Sequence, residues 1–444
     1  MLDIKKFGKE FVWGVAQASY QTEGAYMEDG KGLSVWDVFS NKKGSVERNE
    51  NGNIATDFYH RYAQDIELVR QMNFKAFRFS LSWARIIPQG IGNINQKGID
   101  FYNKVIDKCL EIGIEPWITI YHWDHPQSLE DKGGWTNRQM IEWFSYYTDI
   151  VTKHFGDRVK NWMILNEPFS FTVNGYFTGD MAPGKKGINN FLASVHHSNL
   201  CQAQGARIVR QNVQNANIGT THFVAYIEPY TFKDIKAAER IDALINRMYI
   251  EPSLGKGYPT DKFPYLKKIE KFIKQDDYQA MQFDFDFIGL QYYFRFVIQN
   301  CWYVPYIKAK EVKPAKRNVP TNEMNCEVFP NGLLKLIKKL DEYEQIRKII
   351  ITENGVCYGD ILENGQINDY QRIEFFKNHL KQVQDAIEEG IKVGGYFVWS
   401  LTDNFEWDKG FRPRFGLVYI DYLNNLRRIM KASGYWFKEF LSEK

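Results

Sequence analysis

Eight short, nearly uninterrupted apolar runs alternate with longer stretches of helical periodicity along this 444-residue chain, and no other feature restricts its fold as strongly. The runs are FVWGVA from Phe11, FKAFRFS from Phe74, IEPWITIYHW from Ile114, NWMILNEP from Asn161, ANIGTTHFVAY from Ala216, DFIGLQYY from Asp286, RKIIITENG from Arg347 and GGYFVWS from Gly394. Continuous β-branched and aromatic residues suit strands buried on both faces, as in a parallel sheet. Between them lie amphipathic helices, for example His60 to Met72, with Ala63, Ile66, Val69 and Met72 on one face, and Asp369 to Gly390, ending on a glycine. Eight βα units in succession predict a (β/α)8 TIM barrel, which usually takes about 250 residues. The surplus is expected in extended βα loops. The longest interval separates Tyr293 from Arg347, where CWYVPYIKAKEVKPAKRNVP reads as an insertion. A doubly wound open sheet is the competing fold, but the glycine-rich phosphate turn that usually follows its first strand is missing. No linker, short repeat or low-complexity stretch marks a boundary, so residues 1–444 are expected to form one domain.

A barrel of this kind builds its site at the C-terminal ends of the strands, and polar residues gather there. Gln17 follows the first run, Arg78 closes the second, His122 the third, Asn166 and Glu167 the fourth, Tyr293 the sixth, Glu353 the seventh and Trp399 the eighth. Charge adds no competing function. The formal net charge is +3, with basic residues spread along the chain, which implies neither nucleic acid nor an anionic membrane as partner. No apolar run approaches the ~18 residues of a membrane span, and the start, MLDIKKFGKEFVWG, lacks the apolar centre of a signal peptide. Five cysteines, at 109, 201, 301, 326 and 357, form no CxxC pair, so a cytoplasmic location is expected, with no disulfide framework, zinc site or cofactor.

The tripeptide Glu-Asn-Gly occurs twice, at Glu353 and at Glu363. Glu353 follows a buried strand and is delivered to the barrel mouth, whereas Glu363 precedes an Asn-Gly turn and reads as the tip of an exposed connection. Glu167, closing the fourth run, can face Glu353 across the mouth. Paired carboxylates suit glycoside cleavage, in which one protonates the departing oxygen while the other, ionised, meets an oxocarbenium-like carbon. The segment His122, Asp124 and His125 contains metal-ligand types, but a third strand-end ligand is not evident.

In this order on eight βα units, the segments FVWGVAQASYQTEG, FRFSLSWARIIPQG, YHWDHP, NEP, GDMAPG, ITENG and WSLTDNFEWDKGFRPRFGLVYID are highly specific. The chain resembles glycoside hydrolase family 1, the β-glucosidase family, nearly end to end. That resemblance implies a retaining double displacement with Glu353 as nucleophile and Glu167 as acid/base. It implies that Arg78 and Tyr293 contact the nucleophile, that Gln17, His122 and Asn166 hold ring hydroxyls, Asn166 the 2-hydroxyl, that Trp399 lies under the ring, and that Glu406 and Trp407 read the far hydroxyls. The physical roles agree: a cation and a hydroxyl favour an ionised Glu353, whose charge then helps Glu167 keep its proton.

The expected substrate is a small carbohydrate, a terminal non-reducing β-D-glucosyl unit of an oligosaccharide or of an aryl or alkyl glycoside, and the expected assembly a monomer or small homo-oligomer. The alternatives are a 6-phospho-β-glycosidase and a non-catalytic sugar-binding barrel. Family members acting on 6-phosphoglycosides carry serine, lysine and tyrosine where this chain has Glu406, Pro413 and Phe415, so a phosphate would meet a carboxylate, though Lys409, Arg412 and Arg414 are close in sequence. One departure from the family stands out: Gln291 replaces the usual asparagine before Tyr292-Tyr293.

Overall fold

All eight apolar runs become strands of one closed, all-parallel barrel in the computed structural model, which describes residues 2–442. The strands are β1 (Val12–Ala16), β2 (Ala76–Ser80), β3 (Glu115–Tyr121), β4 (Asn161–Asn166), β5 (Asn217–Phe223), β6 (Phe287–Gln291), β7 (Ile349–Asn354) and β8 (Val393–Trp399). Each pairs with its neighbours in sequence and β8 returns to β1, with Ala16 opposite both Trp399 and Arg78. Every residue of β2 is buried, as a strand covered on both faces requires. The floor of the barrel is filled by aromatic side chains, Trp117 packing on Phe397 and Phe287 with ring centroids 5.1 and 5.7 Å apart. Gly14 makes room for them: a Cβ there would come within 2.3 Å of the Phe397 ring.

The helices form the outer ring. The predicted helix from His60 spans Phe58–Gln71, with Asp65, Ile66 and Val69 buried. Ala63, expected on the inner face, is exposed; Asp65 is on that face instead, where Arg428 neutralises it through bonds of 2.8 and 2.9 Å. The helix expected from Asp369 to Gly390 spans Tyr370–Glu388, and Gly390 supplies the positive φ of 93° that ends it. Part of the long interval after Tyr293 is an ordered excursion. Arg295–Asn300 pairs in parallel with Tyr226–Pro229 and antiparallel with Ala309–Glu311, making a small outer sheet before the helix Asn331–Asp341 resumes the barrel. Among the described residues no helix is long and apolar enough to cross a membrane.

Two of the barrel's register shifts bear directly on the mouth. Pairing of β4 with β5 slips between Met163 and Asn166, and pairing of β7 with β6 slips between Ile351 and Glu353. Such irregularities re-aim side chains, and here they fall beside the two glutamates.

Candidate active site

Glu353 lies in the last turn of pairing of β7, opposite Gln291, and is buried. One carboxylate oxygen accepts from Arg78 Nη1; the other accepts from the Tyr293 hydroxyl at 2.7 Å. Burial pushes its pKa up, and the Arg78 charge and the Tyr293 hydrogen bond pull it back. Arg78 does not close its strand, as expected from the sequence, but sits at the third of five positions in β2. Its long side chain rises through the barrel, its Nε donating to Thr119 Oγ1 at 3.0 Å and its Nη2 to Asn166 Oδ1 at 2.6 Å. The guanidinium thus ties β2, β3, β4 and β7 together beneath the site.

Glu167 follows β4 in a left-handed conformation, φ 43°, shared in kind by Trp123 at 76° and Trp407 at 52°. Non-glycine residues in this region carry backbone strain that clusters at functional sites. The Glu167 carboxyl accepts from Ser170 Oγ at 2.7 Å. Burial and then the facing charge of Glu353 push its pKa up to about 8, so at neutral pH it holds its proton while Glu353 keeps a cation and a hydroxyl donor. One carboxyl able to donate a proton opposite one prepared to be ionised is what acid-assisted displacement at an acetal carbon needs.

Around this pair the polar side chains are fixed by one another. Asn166 Oδ1 accepts from Arg78 and, at 2.8 Å, from Gln291 Nε2. Its Nδ2 must therefore donate to His122 Nε2, 3.0 Å away, which puts the imidazole proton on Nδ1. Burial and the Arg78 charge hold His122 well below the usual histidine range, hence neutral. Its Nδ1 and the side-chain oxygens of Gln17 and Gln291 are buried without protein partners. Trp399 donates to Glu406 Oε1 at 3.3 Å, and Trp399 and Trp407 both lie roughly parallel to the His122 ring, 6.0 and 5.8 Å away. Glu406 is half-buried, and its pKa is pushed up to about 8 by burial.

These groups line a cavity of about 430 Å³ that includes His122, Asn166, Glu167, Tyr293, Glu353, Trp399, Glu406 and Trp407. Gln17 and Arg78 are not at its wall: Arg78 lies below, and Gln17 is buried with its backbone N–H on the Arg78 carbonyl at 2.9 Å. Sequence reading missed Trp123, whose indole N–H donates to the Asn166 carbonyl at 2.8 Å, and Ser170, three residues past Glu167. It also missed an apolar half of the cavity made by Phe169, Phe223, Phe294, Phe296, Met181 and Met324. Isolated phenylalanines give no sequence signal that separates a cavity wall from core.

Several other sequence readings resolve here. Glu363 is exposed on a two-strand turn. Asp124 accepts from Ser19 at 2.9 Å while His125 pairs with Glu130 at 2.9 Å and Tyr121 at 3.0 Å; among the described residues no group of three His, Cys, Asp or Glu side chains is arranged to hold a metal. The three cations near Glu406 are already paired, Lys409 with Asp408 at 2.6 Å, Arg412 with Glu47 at 2.9 Å and Arg414 with Asp403 at 2.7 Å.

Comparison with known proteins places this geometry. Residues 4–444 match the model of a family described as glycosyl hydrolase family 1. The chain is 40% identical over 440 residues to "Beta-glucosidase A" of Thermotoga maritima, covering 98% of each. It is likewise 40% identical over 442 residues to "1,4-beta-D-glucan glucohydrolase" of Thermotoga neapolitana, covering 99% of this chain and 98% of that one. Its fold superposes on the structure of a family 1 β-glucosidase from Thermotoga maritima with a TM-score of 0.95 at 39% identity over 99% of each chain. The same enzyme in complex with glucoimidazole gives equal values.

Proposed function

The chain belongs to glycosyl hydrolase family 1, and from that premise we propose that it is an exo-acting β-glucosidase, retaining in mechanism, with Glu353 as nucleophile and Glu167 as acid/base. The observation that supports this reading most is the division of labour between the two buried carboxyls: Glu353 held by Arg78 and Tyr293, Glu167 pushed up to about 8. A terminal glucosyl unit sits at the polar end of the cavity, its hydroxyls on Asn166, His122, Glu406 and Trp407, its ring against Trp399.

In the first step the Glu167 proton passes to the glycosidic oxygen as the C1–O bond breaks, and a Glu353 oxygen forms a bond to C1 from the opposite face. The products are a free alcohol and a glycosyl ester of Glu353. Esterification removes the Glu353 charge, so the pKa of Glu167 falls and Glu167, now ionised, becomes a base. It takes a proton from water, whose oxygen attacks C1 and releases Glu353 as a carboxylate. Two inversions leave a β-sugar. The relatives' names, β-glucosidase and β-glucan glucohydrolase, support glucose as the sugar. Five free cysteines, four of them buried, suit a reducing compartment.

The test is a proton NMR time course with p-nitrophenyl β-D-glucopyranoside. Early β-glucose is expected. Early α-glucose would overturn the two-glutamate assignment, and binding without any glucose release would leave a sugar-binding barrel in place of an enzyme.

A further inference from the structure

We propose that the leaving group favoured by this enzyme is an apolar alcohol or phenol and not a second sugar. This preference rests on the glucosidase reading above and concerns the outer half of the same cavity. Glu167 protonates the leaving oxygen, so the leaving group sits against the residues that follow Glu167 and those of the neighbouring strands. Phe169 and Met181 come from the connection after β4. Phe223 ends β5, Phe294 and Phe296 lie just past β6, and Met324 reaches in from the excursion beyond them. Phe169, Phe294 and Phe296 are only half-buried, which leaves part of each ring facing the cavity.

The two halves of the cavity differ in chemistry. The aromatic residues on the sugar side are His122, Trp123, Trp399, Trp407 and Tyr293, each with a polar handle, together with Phe415, which has none and lies beside Tyr293. The four rings on the outer side are all phenylalanine, which has none. Those rings also pack on one another: Phe169 stacks on Phe223 at 5.7 Å and 16°, Phe223 meets Phe294 at 5.7 Å, and Phe294 meets Phe296 edge-on at 5.2 Å. Part of their faces is thereby taken up, leaving less to stack on a pyranose. The polar side chains nearby are largely committed. Ser170 donates to Glu167, and Asn322 turns its carbonyl oxygen onto the backbone N–H groups of Met324 and Cys326, both at 3.0 Å. Asn174 remains. A second sugar brings several hydroxyls that lose water on entering and need partners in return. An alkyl or aryl group brings none and gains by leaving water.

The experiment compares kcat/KM for ethyl and hexyl β-D-glucopyranoside and for cellobiose. The two alcohols leave with similar acidity, so their ratio reports leaving-group binding. Each methylene buried fully in the transition state contributes about fourfold. The expected result is a hexyl-to-ethyl ratio of at least about tenfold, with hexyl glucoside ahead of cellobiose. The double variant Phe169→Ser/Phe294→Ser is expected to lower the hexyl-to-ethyl ratio severalfold, a ratio that compares two substrates on one folded protein. A flat alkyl pair with cellobiose equal to or ahead of hexyl glucoside would overturn the proposal while leaving the glucosidase reading intact. Turnover of none of the three would overturn the glucosidase reading, and the leaving-group preference with it.

Discussion

Gln291 Nε2 donates to Asn166 Oδ1 at 2.8 Å, on the same oxygen that accepts from Arg78 at 2.6 Å. Two donors on one carbonyl allow the Asn166 amide a single orientation, with its NH2 toward His122. The longer glutamine at this position therefore still reaches its partner, and its extra methylene is accommodated at a fully buried site. Gln291→Met keeps the volume and removes the donor. A net hydrogen bond contributes about 1–1.5 kcal/mol, so kcat/KM on a glucoside is expected to fall roughly five- to tenfold, and less on the matching 2-deoxyglucoside. Equal losses on both substrates would show that Gln291 does not act through the 2-hydroxyl contact.

Tyr293 holds Glu353 by a hydrogen bond that stabilises the ionised carboxylate. Tyr293→Phe should raise the pKa of Glu353, which burial already places above the usual carboxylate range. Hydrogen bonds to charged groups contribute about 1.5–3 kcal/mol, so the acidic limb of the kcat/KM profile is expected to move to higher pH by roughly one to two units. An acidic limb that stays where it was would remove Tyr293 from the set of residues that tune Glu353, the proposed nucleophile.

In the proposed mechanism Glu167 must carry its proton for the first step, and burial with the facing Glu353 charge pushes its pKa up to about 8. Activity in kcat/KM is therefore expected to fall as pH rises through about 8, and Glu167→Gln to abolish that limb. Stability follows the same sign. Between the ordinary glutamate value of about 4.3 and about 8, the folded protein holds a proton at Glu167 that the unfolded chain has lost, so unfolding free energy declines as pH rises across that window. A denaturant titration series should show a shallower decline for Glu167→Gln than for the native chain.

Phosphorylated sugars are expected to be disfavoured, for a reason that differs from the one suggested by sequence. Glu406, pushed up to about 8 by burial, is largely uncharged at neutral pH and repels a phosphate only weakly. What the site lacks among the described residues is a free cation near Glu406, since Lys409, Arg412 and Arg414 are engaged with Asp408, Glu47 and Asp403. A phosphate desolvated without a partner costs several kcal/mol. Turnover of p-nitrophenyl β-D-glucoside 6-phosphate is expected at least about a hundredfold below that of the unphosphorylated substrate; comparable rates would mean that one of these ion pairs opens.

The barrel was legible because its strands carry their own signature. FKAFRFS and IIITEN read as buried strands whatever surrounds them, since both faces of each are covered and no polar alternation interrupts them. Glu353 stood out from Glu363 for the same reason, one following a buried strand and the other preceding an Asn-Gly turn. Ala63 misled because helical spacing records which residues could share a face, whereas Arg428, far away in the chain, made Asp65 the residue that is buried there.

Sequence alone thus determined the eight strands, their order and the two carboxyls that meet at the mouth, all of which depend on residues close together in the chain. Only the closed tertiary structure decided that Arg78 works from mid-strand, that Gln291 locks Asn166, that the nearby cations are spent on other partners, and that phenylalanines ending β5 and following β4 and β6 share one wall. Charge pairing, desolvation and cavity lining are properties of what surrounds a side chain, and those surroundings come into being only when strands hundreds of residues apart are brought side by side.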